Sequence, residues 1–296
     1  MNVSGKSVAQ AKREWKNSRF VVLNDVLDIK HKSMVWWEDV QEELEFLEAR
    51  AQYISPNPHS RYKQLMPEYL LSTPRHKALG KSQRGLTKHS DWALLSLYYS
   101  SELLQLIKQI TGWKDVQRLP ISRSRAFEIN GKLNFYDAND SSFLDWHYDK
   151  VRDYKGKQVV CVLTLSNSND LANASERHNT LEGIYMQRGK FFRRAEYLGG
   201  NSMSLHDPDA LFHRVLPFKR SPGIPSMHAC KRTIFIMRFT DDATPQTALY
   251  KHLGLAKYLV RNAAGFVYVG DMKWIGICLF ICVLLLACLR SILLVM

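Results

Sequence analysis

Seven short runs between residues 120 and 240 decide the fold: RSRAFEIN (123–130), KLNFY (132–136), QVVCVLTL (158–165), LEGIYMQ (181–187), SMSL (202–205), LFHRVL (211–216) and TIFIMRFT (233–240). The runs are rich in β-branched and aromatic residues, and several are separated by glycine. Many short strands at this spacing are typical of a β-sandwich or jelly roll. We therefore expect this half of the chain to fold as two packed sheets.

The part of the chain before residue 120 has a different pattern, which indicates helices. Met34–Ala51 and Asp91–Ile110 carry apolar residues at helical spacing, and Gly112 is a candidate for the end of the second helix. Residues 53–88 hold four prolines, which predict a loop with short turns. Residues 1–33 are polar and basic, with weak periodicity. Because helices precede strands, we expect an α+β fold in which N-terminal helices pack on the jelly roll.

The C-terminus is the most apolar part of the chain. The sixteen residues of Trp274–Leu289 carry no charge, and Arg290 and six further residues follow them. A bilayer core needs roughly 20 apolar residues in a helix, a length that residues 274–296 reach if Arg290 extends to the far interface. The alternative is a buried core helix, which rarely lacks polar positions on every face. We expect a single-pass C-terminal transmembrane helix.

The charges that flank this segment predict its orientation. Arg290 is the only charge within or after it, whereas four basic residues precede it: Lys251, Lys257, Arg261 and Lys273. The positive-inside rule then places the large N-terminal body, with any catalytic domain, in the cytosol. Residues 246–273 form a basic, amphipathic linker that we expect to lie along the anionic leaflet.

Charge and cysteine content narrow the possible partners. The net charge of +13 favours a polyanionic neighbour, either nucleic acid or an anionic membrane surface, although a soluble basic domain without such a partner has the same composition. Three of the five cysteines lie in the apolar C-terminus, and no CxxC pair occurs. A structural zinc site or a disulfide framework is therefore not expected, and reduced thiols facing the cytosol fit this pattern.

Three residues form a candidate metal site. Residues at i and i+2 of a strand point to the same side, so His147 and Asp149 can present an imidazole and a carboxylate to one ion. His213, in a distant strand, can supply a second imidazole. Fe(II) held by two histidines and one carboxylate keeps three open positions, enough for a bidentate 2-oxo acid and O2.

A 2-oxoglutarate molecule also needs a cation for its far carboxylate, which a fixed guanidinium supplies best. Arg232 opens the strand downstream of His213, and the neighbouring Lys231 is the alternative. His206 and Asp209 lie near His213, but Pro208 between them interrupts a strand. We therefore interpret residues 206–209 as a turn without metal ligands.

With these motifs, residues 130–240 resemble the Fe(II)/2-oxoglutarate oxygenase superfamily, whose fold is a double-stranded β-helix. Asn134 and Tyr136 are similar to the Asn-x-Tyr that contacts 2-oxoglutarate in the AlkB-type branch, and Arg232 with Arg238 matches the arginine pair of that branch. Arg238 can instead face solvent or a partner carboxylate. The sequence His213-Arg-Val-Leu-Pro217 equally resembles the prolyl-hydroxylase branch.

The resemblance implies an activity as well as a fold. His147, Asp149 and His213 would hold Fe(II), and Arg232 would hold 2-oxoglutarate with Tyr136, Asn134 and Arg238 as further contacts. A substrate C–H would be hydroxylated with O2 while 2-oxoglutarate is decarboxylated to succinate. The substrate is a small molecule, a lipid or a protein. The alternatives are an AlkB-like demethylase of nucleic acid, or an inactive membrane-bound binding module.

Together these observations predict four regions: a mainly helical region at 1–118, the oxygenase core at 119–245, the basic linker at 246–273 and the membrane anchor at 274–296.

Overall fold

The computed structural model describes residues 7–27, 34–53, 60–65, 69–70, 73, 79, 92–119, 131–149, 154–187, 190–225 and 229–245, with 260–262, 264–266 and 268–269. The strand predicted at 123–130 and the anchor predicted at 274–296 lie outside these residues. Within the part of the chain that is described, no helix is long and apolar enough to cross a membrane.

The described residues contain four α-helices with defined bounds, thirteen strands, and further helical residues at 69–70, 260–262, 264–266 and 268–269. The helices are α1 (Val8–Ser18), α2 (Met34–Glu48), α3 (Ala93–Tyr98) and α4 (Ser101–Thr111). The strands are β1 (Phe20–Leu23), β2 (Gln52–Tyr53), β3 (Ser60–Arg61), β4 (Lys63–Leu65), β5 (Gln117–Arg118), β6 (Lys132–Asp137), β7 (Phe143–His147), β8 (Gln158–Asn167), β9 (Leu181–Gln187), β10 (Lys190–Glu196), β11 (Met203–His206), β12 (Leu211–Val215) and β13 (Lys231–Thr240).

The strands form two antiparallel sheets, which confirms the predicted jelly roll. The major sheet has eight strands in the order β1-β11-β8-β13-β6-β4-β2, with β5 paired to β13. The minor sheet has five strands in the order β10-β9-β12-β7-β3. Neighbours such as β8 and β13, or β7 and β12, are far apart in the sequence, so the pairing brings residues near 147, 213 and 232 into one region.

The helices cover the outer face of the major sheet. Trp15 of α1, Leu44 of α2 and Ile107 of α4 are buried in the same apolar cluster as Phe235 and Phe239 of β13. Burial of large apolar side chains is the main source of stability in such a layer, at roughly 25 cal/mol per Å² of apolar surface. The helical layer therefore supports the sheet from the side opposite the minor sheet.

One prediction about the N-terminal part needs correction, and residues 1–33, for which no element was predicted, contain regular structure. The periodic stretch predicted as one helix at 91–110 is divided into α3 and α4, because the Ser100 hydroxyl accepts a hydrogen bond from the amide of Leu103 and caps a new helix. Gly112 ends α4 as predicted, with a left-handed φ of 70°. Residues 1–33, which lack clear periodicity, nevertheless contain α1 and β1. The strand β1 consists of four consecutive buried apolar residues and therefore shows no alternation.

The inner face of the major sheet has a different character. Along β6 and β13, alternate side chains turn towards the minor sheet and line a cavity between the two sheets. Polar and charged residues are prominent in that lining, including Lys132, Asn134, Arg232 and Arg238. The candidate functional residues lie in this cavity.

Candidate active site

His147 and His213 meet because their strands pair in register. His147 ends β7 and lies directly opposite His213 of β12, and the two imidazole rings are 4.3 Å apart between centroids. The preceding residues, Trp146 and Phe212, stack on each other at 5.3 Å and pack with Phe266 in a separate apolar cluster. This packing fixes the pairing of the two strands and so the distance between the two histidines.

Asp149 completes the predicted set of metal ligands. One ligand atom each from His147, Asp149 and His213 lies within 4.8 Å of the other two. Nε2 of His213 and Oδ2 of Asp149 are 3.6 Å apart. Two imidazoles and one carboxylate at these separations can all reach one metal ion.

Both histidines are held in the tautomer that suits a metal ligand. Nδ1 of His147 lies 2.7 Å from the carbonyl oxygen of Asp145, and Nδ1 of His213 lies 3.3 Å from that of Leu211. A carbonyl oxygen only accepts, so each Nδ1 carries the proton and each Nε2 keeps its lone pair. Such hydrogen bonds orient the ligating imidazoles in metal sites.

The protonation states of the three residues also favour a cation. Burial lowers the pKa of His147, and burial with the neighbouring His147 lowers the pKa of His213 well below its usual value. Both rings are therefore neutral at physiological pH. Burial alone raises the pKa of Asp149, but the hydrogen bond from His206 and the charge of Arg238 outweigh it, so its pKa lies well below the usual value. The site thus offers two neutral imidazoles and an ionised carboxylate.

His206 contacts this site, contrary to the sequence interpretation. The turn that contains Pro208 begins only after His206. His206 itself is the last residue of β11 and is buried. Its Nε2 donates to Oδ2 of Asp149 at 2.6 Å. The strand stops before Pro208, as predicted. It still includes His206, however, and the His206 side chain faces the cavity.

Arg238 also contacts Asp149. Its guanidinium donates to Oδ1 at 3.2 Å, so the two carboxylate oxygens have different partners, His206 on one and Arg238 on the other. Arg238 therefore pairs with a carboxylate, one of the alternatives left open by the sequence, and its contact with a co-substrate stays a prediction.

Arg232 lies in the same cavity, six residues before Arg238 on β13. It is buried, and its Nε has no hydrogen-bond partner in the described structure. Burial lowers its pKa to about 10, so it stays charged at neutral pH. The neighbouring Lys231 faces away and pairs with Glu48 at 2.7 Å. Of the two neighbouring cations, Arg232 therefore lines the cavity and Lys231 does not.

Asn134 and Tyr136 lie beside Arg232. The Arg232 guanidinium carbon is 5.6 Å from the centre of the Tyr136 ring, which stacks on Tyr62 at 5.4 Å. The Asn134 amide donates to the Tyr136 hydroxyl at 3.4 Å and accepts from Gln64 at 2.8 Å. These hydrogen bonds hold both side chains towards the cavity, at the end where Arg232 lies.

Comparison with known proteins identifies the fold. No model of a protein family matches the sequence, and no curated protein is similar enough to match it. Among solved structures, the non-haem α-ketoglutarate-dependent epimerase SnoN of nogalamycin biosynthesis matches with a TM-score of 0.52 and 10% identity over 79% of this chain and 82% of that one. The fold is that of the Fe(II)/2-oxoglutarate oxygenases.

Two further structures agree with this assignment of the fold. A prolyl 4-hydroxylase from Phytophthora capsici matches with a TM-score of 0.50 and 16% identity over 96% of this chain and 84% of that one. The α-ketoglutarate-dependent carbocyclase SnoK of nogalamycin biosynthesis matches with a TM-score of 0.50 and 10% identity over 81% of this chain and 86% of that one. The predicted double-stranded β-helix is confirmed.

The residues of this cavity fit the two groups that Fe(II)/2-oxoglutarate oxygenases use. For Fe(II), the fit rests on the donor set itself: His213 is buried, His147 and Asp149 are half-buried, and all three are correctly protonated and close together. For 2-oxoglutarate, it rests on the buried Nε of Arg232, which has no partner of its own. A carboxylate at this position would supply the missing acceptor.

Two residues of the candidate site, His206 and Lys132, were not predicted from the sequence. Lys132 begins β6 and lines the cavity, opposite Ile236 of β13. Burial and the charge of Arg238 lower its pKa to about 8. The alternation Lys132, Asn134, Tyr136 was visible in the sequence and could have predicted that all three share one face.

Proposed function

We propose that this protein is an Fe(II)- and 2-oxoglutarate-dependent dioxygenase that hydroxylates a substrate C–H bond. The observation that carries the proposal is the presence in one cavity of three metal-ligand atoms within 4.8 Å and a buried guanidinium whose Nε lacks a partner. The fold alone does not require either feature, since one fold hosts many functions. The complete ligand set supports a catalytic protein over an inactive binding module.

Each side chain has a definite task in this proposal. His147, Asp149 and His213 would hold Fe(II), and Arg232 would pair with the far carboxylate of 2-oxoglutarate beside Tyr136 and Asn134. Iron with 2-oxoglutarate and O2 supplies the oxidising power that converts a C–H bond to an alcohol, with release of CO2 and succinate. His206 and Arg238 orient Asp149, and the apolar residues of the cavity exclude water from the reacting centre.

The size of the cavity bears on the substrate. Its volume is about 240 Å³, smaller than the roughly 300 Å³ at which pockets for whole drug-sized ligands begin. With 2-oxoglutarate bound, little of this volume would remain. We infer that the substrate inserts only its reacting part, as a lipid chain, an extended protein side chain or the end of a small molecule can do.

We further propose that residues 274–296 anchor the protein in a membrane with the catalytic domain in the cytosol. The length of this apolar segment and the basic residues before it support the proposal. Extraction of cell membranes at high pH tests it, because an integral protein stays in the pellet and a peripheral one is released.

The test of the activity is anaerobic reconstitution with Fe(II) and 2-oxoglutarate, followed by O2 and measurement of succinate. His213→Ala should lose the single bound iron of each chain and all succinate formation, because the two remaining ligands cannot hold the ion tightly. His178→Ala is the matched control, since His178 is an exposed histidine outside the cavity and its loss should change neither quantity. Equal iron content in the two variants would refute the proposed metal site.

The substrate is found by adding lipids, peptides and methylated oligonucleotides to the same reaction. Stimulation by oligonucleotides, with binding that weakens steeply as salt is added, would favour the AlkB-like alternative.

A further inference from the structure

Large hydrophobic side chains are exposed mainly in one area of the described structure. Seven such residues are exposed, and five of them belong either to the β9–β10 hairpin or to the helical residues among 260–262, 264–266 and 268–269. The hairpin contributes Met186, Phe191 and Phe192, and the helical residues contribute Val260 and Tyr268. Isolated exposed hydrophobic residues are ordinary, but a cluster indicates an interaction site.

Three of these residues form one surface at the edge of the minor sheet, here called the aromatic edge: Met186, Phe191 and Tyr268. Met186 lies opposite Phe191 in the register of the hairpin, and the Phe191 ring is 4.7 Å from that of Tyr268. Phe192 lies on the other side of the same strand, where it stacks on Tyr185 at 5.9 Å. The strand β10 is the last of its sheet, so the aromatic edge projects from the end of the sandwich.

Basic residues flank this apolar surface. Lys190 begins β10 and is exposed, and Arg193 and Arg194 follow the two phenylalanines. Arg193 pairs with Glu182 and Arg194 with Glu196, while Arg214 shares Glu182. With four cations and two carboxylates, the surroundings of the aromatic edge keep a positive charge. Aromatic rings beside long cationic side chains are typical of proteins at an anionic lipid surface.

The C-terminal part of the chain brings this edge close to the predicted anchor. Phe266 packs on Phe212 of β12 at 5.3 Å, which fixes the helical residues to the minor sheet. A Cβ atom on Gly265 would lie 2.8 Å from the Phe212 ring, so the close approach there depends on glycine. Trp274, where the apolar segment begins, is six residues beyond Tyr268, at most about 20 Å of extended chain. An anchor that starts there keeps the aromatic edge within reach of the bilayer surface.

We propose that the aromatic edge docks on an anionic lipid surface and holds the catalytic domain in one orientation on the membrane. The proposal rests on the membrane anchor proposed above. Met186, Phe191 and Tyr268 enter the interface between headgroups and acyl chains, while Lys190 and Arg193 contact lipid phosphates.

The test uses the full chain reconstituted into vesicles that contain lipids with brominated acyl chains, which quench nearby tryptophan. Phe191→Trp places a reporter in the aromatic edge. Tyr99→Trp is the matched control, because Phe191 and Tyr99 are both 55% exposed and Tyr99 follows α3 on the helical side of the major sheet. The added emission of each variant is obtained by subtracting the wild-type spectrum, since seven native tryptophans contribute a background.

In vesicles of phosphatidylcholine and phosphatidylserine, brominated lipid should reduce the added emission of Phe191→Trp about two-fold or more. Quenching of this size is expected for a side chain that lies at the depth of the interface. It should leave that of Tyr99→Trp unchanged. Vesicles of phosphatidylcholine alone should give weaker quenching, and equal quenching in the two lipids would overturn the role of the basic residues.

The remaining outcomes separate docking from anchoring. If the protein floats with the vesicles but the two reporters are quenched equally, the anchor stands and the docking proposal fails. If the protein does not float, the anchor itself is wrong. The reporter of Phe191→Trp could also be shielded from water without lipid, in a dimer or against the chain's own apolar segment. That result would overturn the proposal as well.

Discussion

The two faces of β13 differ in what they contribute. On the outer face, Phe235 and Phe239 are fully buried among apolar residues of the helices. On the inner face, Arg232 and Arg238 line the cavity together with Ile236. Ile236 lies opposite Lys132 of β6. The same ten-residue strand therefore provides packing on one side and buried positive charge on the other.

This difference shows which face stabilises the fold and which one serves the site. Burial of apolar surface stabilises the outer face, whereas burial of cations costs free energy unless each finds a partner. The lowered pKa values of Arg232 and Lys132 express that cost. Proteins commonly retain such destabilising groups where a ligand supplies the missing partner. Three substitutions test this division.

The largest expected effect is on the outer face. Phe235→Ala should lower the free energy of unfolding by about 3–5 kcal/mol, because it leaves a cavity in the packed layer. Urea unfolding measures this change. In the fraction that remains folded, affinity for 2-oxoglutarate should stay within about two-fold of wild type, since the side chain does not reach the cavity. A parallel loss of affinity would contradict the separation of the two faces.

The next effect is on the inner face. Arg232→Met should weaken the binding of 2-oxoglutarate about 100-fold or more, because it removes charge-assisted hydrogen bonds of about 1.5–3 kcal/mol each. Titration calorimetry of the Mn(II)-loaded protein measures this affinity. The free energy of unfolding of the metal-free protein should be unchanged or higher, since a buried cation is removed. Arg232→Lys, which keeps the charge without the planar fork, should give an intermediate affinity.

The smallest effect concerns Lys132. Lys132→Met should raise the free energy of unfolding of the metal-free protein by about 1–3 kcal/mol at pH 7, because charging this buried amine is costly. Its folded pKa of about 8 is below the unfolded value of 10.5. Between these values the unfolded chain binds more protons, so wild-type stability rises with pH and the advantage of methionine shrinks. An advantage that is the same at pH 7 and pH 10.5 would mean that packing, not charge, is its cause.

The fold class and the candidate metal ligands could both be predicted from the sequence. Short β-branched runs predicted the sandwich, and the two-residue period of a strand placed His147 and Asp149 on one side, because both signals are local properties of the chain. It also nominated Arg232 together with Asn134 and Tyr136.

The residues that surround these groups become known only from the folded chain. His206 and Arg238 meet Asp149 across 57 and 89 residues of chain, and Lys231 is removed from the cavity by its ion pair with Glu48. The position of Lys132 beside them, and the clustering of Phe191 with Tyr268, likewise follow from pairing between distant strands and helices. Such contacts depend on register and sheet order, which no local pattern encodes.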